Sequence, residues 1–251
     1  YLAFENAQFE VRYAEGEYPF AREALKILEE GLVKLVDYFQ LGHGFPKIRV
    51  VLVTSRIEFD RLVRDLLQVE IEVPSHPARI AQPQRTDLIV ISPSAYEQET
   101  IFKYNPAEFG RLLIHEQVHM VEEYLSPNIE ASPRWWGEGL AVYLSEQWRY
   151  DDEFNKPAMA GVAQGAIPTF AQIEAERKLA YDWGWTIVRF IERQYGQGMI
   201  LRMVKECGDG NVFAVIGAEV GQLESQWRHW LQTESQNASP RLELTGAVPR
   251  G

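Results

Sequence analysis

Asn105-Pro106-Ala107-Glu108-Phe109-Gly110-Arg111-Leu112-Leu113-Ile114-His115-Glu116-Gln117-Val118-His119-Met120-Val121-Glu122-Glu123-Tyr124-Leu125 is the stretch that organises this chain. Asn105 suits an N-cap, Pro106 suits the first helical position, and Glu108 is placed to close a capping box. Ile114, Val118 and Val121 recur at i, i+4 and i+7, the stripe a helix buries against a core. The spacing predicts an amphipathic helix over 105–125 with His115-Glu116-Gln117-Val118-His119 in its middle.

In a helix each residue turns about 100°, so His119 lies about 40° round from His115 and about 6 Å further along the axis. Two imidazoles so placed can address one metal ion. Glu116 is about 100° away, poorly set as a third ligand but able to reach a water on the metal's open side. Two histidine ligands with an adjacent glutamate base are the signature of a zinc peptidase. A surface helix with two incidental histidines is the bland alternative; the strong caps and the apolar stripe on a neighbouring face favour chemistry. Such a site needs a third protein ligand and an open position for water. Glu138 offers itself nineteen residues after His119. It sits in a second predicted helix, with Ser132 as N-cap and Pro133 as first helical residue, running through Arg134-Trp135-Trp136-Gly137-Glu138-Gly139-Leu140-Ala141-Val142-Tyr143-Leu144. Ser126-Pro127 and Ser132-Pro133 allow a helical return, and the flanking glycines are expected to leave the carboxylate side clear at a cost in helix propensity.

Outward from these helices, 7–15 alternate apolar and polar residues and predict a half-buried strand. Apolar residues at helical spacing predict a helix over 19–39. The β-branched run 48–54 predicts a central strand, and Ser55 caps a helix through about Leu67. The segment 73–86 carries Pro74, Pro77 and Pro83 and is expected to be irregular. A further strand is predicted at 87–92, closed by Pro93. After residue 105 helix signals dominate to about 234, punctuated by Gly196, Gly208 and Gly221. Strands gathered first and helices second predict an α+β fold rather than alternating β-α units.

The chain has 251 residues, enough for one large domain, and 46% hydrophobic with 24% charged residues is globular composition. A net charge of −11 fits nucleic acid poorly, so no nucleic-acid partner is expected. No apolar run reaches the roughly 18 residues that span a bilayer. Cys207 is the only cysteine, which excludes an intramolecular disulfide and a cysteine-based zinc site. The opening Tyr1-Leu2-Ala3-Phe4 lacks a starter methionine. That suggests a processed chain from which an anchor or export signal has been removed, and it tilts the expected address toward an exported or membrane-anchored protein over a cytoplasmic one. The ending Ala247-Val248-Pro249-Arg250-Gly251 looks like a tag linker, so 241–251 are treated as a tail. Residues 1–240 are expected to form a single domain, with a β-rich lobe over 1–104 and a helical lobe over 105–240; a monomer is expected.

His115-Glu116-x-x-His119, followed by Glu138 within Trp136-Gly137-Glu138-Gly139-Leu140-Ala141-Val142-Tyr143, resembles the gluzincin clan of metallopeptidases, and more narrowly the bacterial peptidase-MA-like domains. The likeness continues through Ala180-Tyr181 to Gly196 and at 221–231, where such domains close with a helix. It covers most of 45–232, with specific motifs at 115–143 and 180–196. It implies a zincin-like fold: a β-rich lobe with an edge strand, a helical lobe, and the active-site helix between them. It also implies that the strand at 87–92 is the sheet edge that faces substrate, and that Tyr181 occupies the position of a tyrosine that stabilises the oxyanion. A buried core tyrosine is the equal alternative for Tyr181. Two departures stand out. Gly137 replaces the Asn frequent before the third ligand, and Val142 stands where thermolysin-type members carry an Asp that orients a histidine, so an orienting partner must come from elsewhere. The Gly-x-Met-Glu-Asn motif of the aminopeptidase branch is absent. His43, His76 and His229 read as incidental, and Trp135, Trp136, Trp183 and Trp185 as core or cleft wall.

These readings converge on a zinc-dependent peptidase, one ion per chain, held by His115, His119 and Glu138, with Glu116 as base and Tyr181 as a candidate catalytic donor. The expected partner is a peptide or protein cut at internal bonds. A catalytically inactive binding domain on the same scaffold, and a zinc hydrolase of a non-peptide substrate, remain as alternatives.

Overall fold

The structure, a computed structural model, describes residues 1–42, 44–126, 128–207 and 211–238. His43, Gly208 and the tail at 241–251, all read from the sequence, lie outside the described residues. The protein is α+β and divides into two compact units, Tyr1–Ser126 and Pro127–Gly251. The boundary falls after Ser126 rather than at 104, because the helix that follows Asn105 packs into the first unit. No helix among the described residues is long and apolar enough to cross a membrane.

In the first unit the chain runs β1 (Leu2–Glu5), β2 (Phe9–Tyr13), α1 (Tyr18–Tyr38), β3 (Ile48–Val53), α2 (Arg56–Asp65), β4 (Ala81–Gln84), β5 (Asp87–Ile91), α3 (Tyr96–Glu99) and α4 (Pro106–Leu125). The five strands form one sheet in the order β1-β2-β3-β5-β4. The β2-β3 and β3-β5 pairs are parallel, and the flanking pairs β1-β2 and β5-β4 are antiparallel. Ile48-Arg49-Val50-Val51-Leu52-Val53 and Leu88-Ile89-Val90-Ile91 are continuous apolar runs, apart from Arg49, because central parallel strands are covered on both faces. Arg49 stands opposite Asp87 in the register and donates to its carboxylate at 2.6 Å, so the one charge in β3 is matched across the ladder.

One expectation about the sheet is overturned. The strand at 87–92 is not an edge: β5 lies between β3 and β4, and the outer strands are β4 on that side and β1 on the other. The segment expected to be irregular hides it, because Pro83 breaks the strand signal. The register explains why a proline is tolerated there. The Ile91 amide donates to the Ile80 carbonyl at 2.8 Å, and Ile80 and Ile91 fall on the same pairing sum as Ala81↔Val90. Gln82 and Gln84 therefore bond β5, while the backbone groups of Ala81 and Pro83 turn away from it. The missing N–H of Pro83 costs the ladder nothing.

α1 buries Ala24, Leu25, Leu28, Gly31, Leu32 and Leu35. α4 crosses it closely at Gly31: a Cβ there would overlap Gln117 Oε1 and stand 3.0 Å from Ile114 Cγ1. Gln117 Nε2 donates to the Leu28 carbonyl at 2.9 Å. At the other end of α4, Glu123 accepts from the Gln84 side chain at 2.8 Å and from the Arg85 amide at 2.5 Å, which pins the β4-β5 turn.

In the second unit follow α5 (Arg134–Leu144), α6 (Gln147–Tyr150), α7 (Asp152–Ala163), α8 (Phe170–Ala175), α9 (Arg177–Tyr195), α10 (Gln197–Glu206) and α11 (Val220–Ala238). Its core is the crossing of α5 and α9. A Cβ at Gly139 would overlap Gly184 C and stand 2.7 Å from Gly184 O, and a Cβ at Gly184 would overlap the Trp135 carbonyl oxygen. Only paired glycines permit that approach. Around it Trp135 stacks on Phe213 at 5.1 Å between centroids, Phe170 packs on Trp227 at 5.2 Å, and Trp148 stacks on Trp185 at 5.2 Å. Trp135, Trp136, Trp183 and Trp185 are all buried, so these tryptophans are core. The indole N–H of Trp185 donates to the Phe154 carbonyl, and that of Trp227 to Thr186 Oγ1, each at 3.1 Å.

Candidate metal centre

In the first unit, α4 begins as the sequence predicts. Asn105 Oδ1 accepts the amides of Ala107 at 3.0 Å and Glu108 at 3.3 Å. Val118 and Val121 are buried, Ile114 half-buried. Gln117 lies inside the pentad and faces α1, so the helix rotation that buries Gln117 and Val118 sets His115, Glu116 and His119 on other faces. His115 and Glu116 are nonetheless buried, and His119 is half-buried.

The two histidines meet. Their Nε2 atoms are 3.1 Å apart and the rings lie edge to face at 4.8 Å between centroids. Nitrogens about 2.0–2.1 Å from a tetrahedral ion stand about 3.3 Å from each other, so this spacing fits two ligands of one metal. A neutral pair could also share one N–H in that geometry.

In the second unit, α5 presents Glu138. The helix starts at Arg134 with Pro133 as its N-cap, one residue later than expected, and Ser132 closes a preceding turn at Ile129–Ala131 instead of capping α5. Gly139 serves the crossing with α9, so at least one of the glycines flanking Glu138 is there for packing rather than to clear the carboxylate. Tyr181 lies inside α9. The Glu138 carboxylate and the Arg177 guanidinium lie near enough to its phenol to act on it electrostatically. Burial, reinforced by the Glu138 carboxylate, holds the Tyr181 phenol well above its ordinary pKa, so the proton stays on it. The ring is flanked by Phe154 at 6.4 Å and by the Arg177 guanidinium at 5.9 Å from its centroid.

The structure thus joins His115 with His119 in one unit and Glu138 with Tyr181 in the other. Of the incidental histidines, His76 Nδ1 accepts the Ala78 amide at 3.1 Å in an exposed turn, and His229 lies exposed on α11. Sequence reasoning missed three residues that set this geometry. Gln117 hides within an apolar stripe, Glu123 looks like any helix carboxylate, and Arg177 carries only the i, i+4 spacing to Tyr181 as a signal.

A family model described as the peptidase MA superfamily matches residues 103–233. No curated protein matches the chain.

Proposed function

The chain belongs to the peptidase MA superfamily, and from that premise we propose that it is a zinc-dependent endopeptidase. Its proposed ligands are His115, His119 and Glu138, side chains of metal-binding types. The observation that carries the reading is the histidine pair, 3.1 Å apart at Nε2 on a helix that also bears Glu116. When bound, zinc would lower the pKa of its water toward about 7 and polarise the scissile carbonyl. Glu116 takes the proton of the attacking water and passes it to the leaving amine, the work of a carboxylate next to a ligand on a buried helix face.

Substrate pairs with β4, the sheet edge beside β5, and not with β5 itself. The outward groups of that strand are the N–H and C=O of Ala81 and the C=O of Pro83. Beyond them the Arg85 amide is already taken by Glu123. The edge therefore reads a short stretch of extended backbone, and such reading needs no free chain end.

The test is Glu116→Gln, assayed on amino-blocked, internally quenched peptides alongside metal analysis. The account expects one zinc per chain in both proteins and hydrolysis in the parent alone. Undiminished hydrolysis by the variant removes Glu116 from catalysis. Loss of zinc in the variant makes Glu116 a ligand and the division of roles wrong.

A further inference from the structure

The open edge of β4 offers little backbone. The register leaves Ala81 and Pro83 facing outward, and Pro83 has no N–H to give. The Pro83 carbonyl already accepts from Gln82 Nε2 at 3.1 Å. Of these outward positions, Ala81 alone presents both a donor and an acceptor, so the edge reads one substrate residue fully. Two bonds of that kind select an extended chain without regard to its side chains.

What stands beside Ala81 is a cation. Gln82 reaches the outward Pro83 carbonyl, so its carboxamide lies along the open edge, and its Oε1 accepts from Arg79 Nη1 at 2.6 Å. The Arg79 guanidinium is therefore at the edge as well. Its backbone is fixed: the Arg79 amide donates to the His76 carbonyl at 2.8 Å, and the Arg79 carbonyl accepts from Arg56 Nη1. Arg56 is buried and directs its other bonds to Ser75 Oγ at 3.2 Å and to the carbonyls of Pro77 at 3.3 Å and Glu99 at 2.6 Å. The carboxylates of this region are committed to amides: Asp60 accepts that of Ser75 at 2.9 Å, and Glu99 that of Arg56 at 2.8 Å. No carboxylate among the described residues pairs with Arg79. In a chain of net charge −11 this cation lacks an internal match, and with one N–H on Gln82 the rest of its planar fork suits a carboxylate. Arg79 lies two residues before Ala81. Diagonal neighbours of that spacing, about 7–8 Å apart across paired strands, are within reach of long side chains.

We propose that Arg79, held by Gln82, is a specificity-determining residue that selects substrates bearing an acidic side chain at, or within two residues of, the position that pairs with Ala81. The inference rests on β4 being the substrate edge of a peptidase. Backbone pairing at Ala81 sets the register, and the guanidinium reads the side chain that the register brings to it. A charge-assisted bond of this kind changes kcat/KM by about 10–100-fold between a carboxylate and its neutral isostere.

The experiment measures kcat/KM of the full chain on amino-blocked, carboxy-amidated, internally quenched peptides in which each position in turn carries Glu, Gln or Lys. Blocked ends keep terminal carboxylates out of the comparison. The parent is expected to favour Glu over Gln by about 10–100-fold in one short stretch of positions, less so as salt rises. Arg79→Met should remove that preference, and Arg79→Glu should replace it with a preference for Lys over Gln at the same place. Gln82→Glu sets a competing carboxylate on Arg79 and should also lower the preference; it decides if circular dichroism shows that Arg79→Met does not fold. Equal cleavage of Glu and Gln peptides by the parent at every position overturns the inference and leaves the peptidase reading standing. So does a parent-like Glu preference in Arg79→Met, or in Gln82→Glu when it must decide, even where both peptides are cut more slowly, since that marks a structural role. A parent that cuts no peptide overturns the peptidase reading and this inference with it.

Discussion

Replacing Gly139 by alanine puts one methyl group into the crossing of α5 and α9. The new Cβ would overlap Gly184 C and lie 2.7 Å from Gly184 O and 2.9 Å from Gly184 Cα. Carbon atoms rest at about 3.5–4.0 Å, so relieving the overlap with Gly184 C needs the helices to separate by roughly 1–1.5 Å along this line. Both sides of the contact are backbone, and no side chain can swing away. Overpacking of this kind costs about 1–3 kcal/mol, against which alanine returns up to about 1 kcal/mol of helix propensity. The expected net is a loss of about 1–2 kcal/mol, or a fall in Tm of about 2–8 °C for a chain of this size. The control has the opposite sign. Gly198, inside α10, would meet nothing within 4 Å, so Gly198→Ala should hold or raise Tm. Thermal unfolding followed by circular dichroism, without metal, compares the two. A Gly139→Ala protein as stable as the parent would refute the close crossing and the fixed backbone it provides for Glu138.

Gly31→Ala should cost about 1–3 kcal/mol in urea unfolding, because Gln117 must turn its amide away and give up its 2.9 Å bond to the Leu28 carbonyl; an unchanged midpoint would contradict that contact. Glu123→Ala releases the Gln84 side chain and the Arg85 amide, so hydrogen exchange at Arg85 should accelerate while the amides of β3 stay protected; equal protection at Arg85 would count against the clamp. Burial, together with its bonds to both oxygens of Glu23 at 2.9 and 2.8 Å, pushes Tyr104 up to about 12 from 10.0. A folded-state pKa above the unfolded one gives stability that is complete below pH 10.0 and lost as pH rises through about 12. Tyr104→Phe should therefore show a shallower fall in stability across that window, and an identical alkaline profile would dismiss the contribution.

The helix that carries the two histidines was legible because several local signals agree. Asn105 caps it, Pro106 starts it, Val118 and Val121 point it inward, and two histidines four apart need no tertiary information to share a side. Glu138 and Tyr181 were named from spacing and likeness. What joins them to their neighbours was not legible, since it depends on Gly139 meeting Gly184, two glycines 45 residues apart on different helices. β4 was missed for a related reason. Four residues containing Pro83 have weak strand character alone, and they form a strand through the hairpin with β5, whose turn Glu123 holds from α4. That miss moved the proposed substrate edge by one strand. β1 was also overlooked, being only four residues long and paired with β2 alone.

Anomalous diffraction at the zinc edge, on crystals of the protein grown with one equivalent of zinc, tests the central claim most directly. The account predicts one strong peak per chain, about 2.0–2.1 Å from His115 Nε2 and His119 Nε2 and about 2.0–2.2 Å from a Glu138 carboxylate oxygen, with a non-protein fourth position. A peak held by other residues, or a Glu138 turned away from a peak at the histidines, would contradict it.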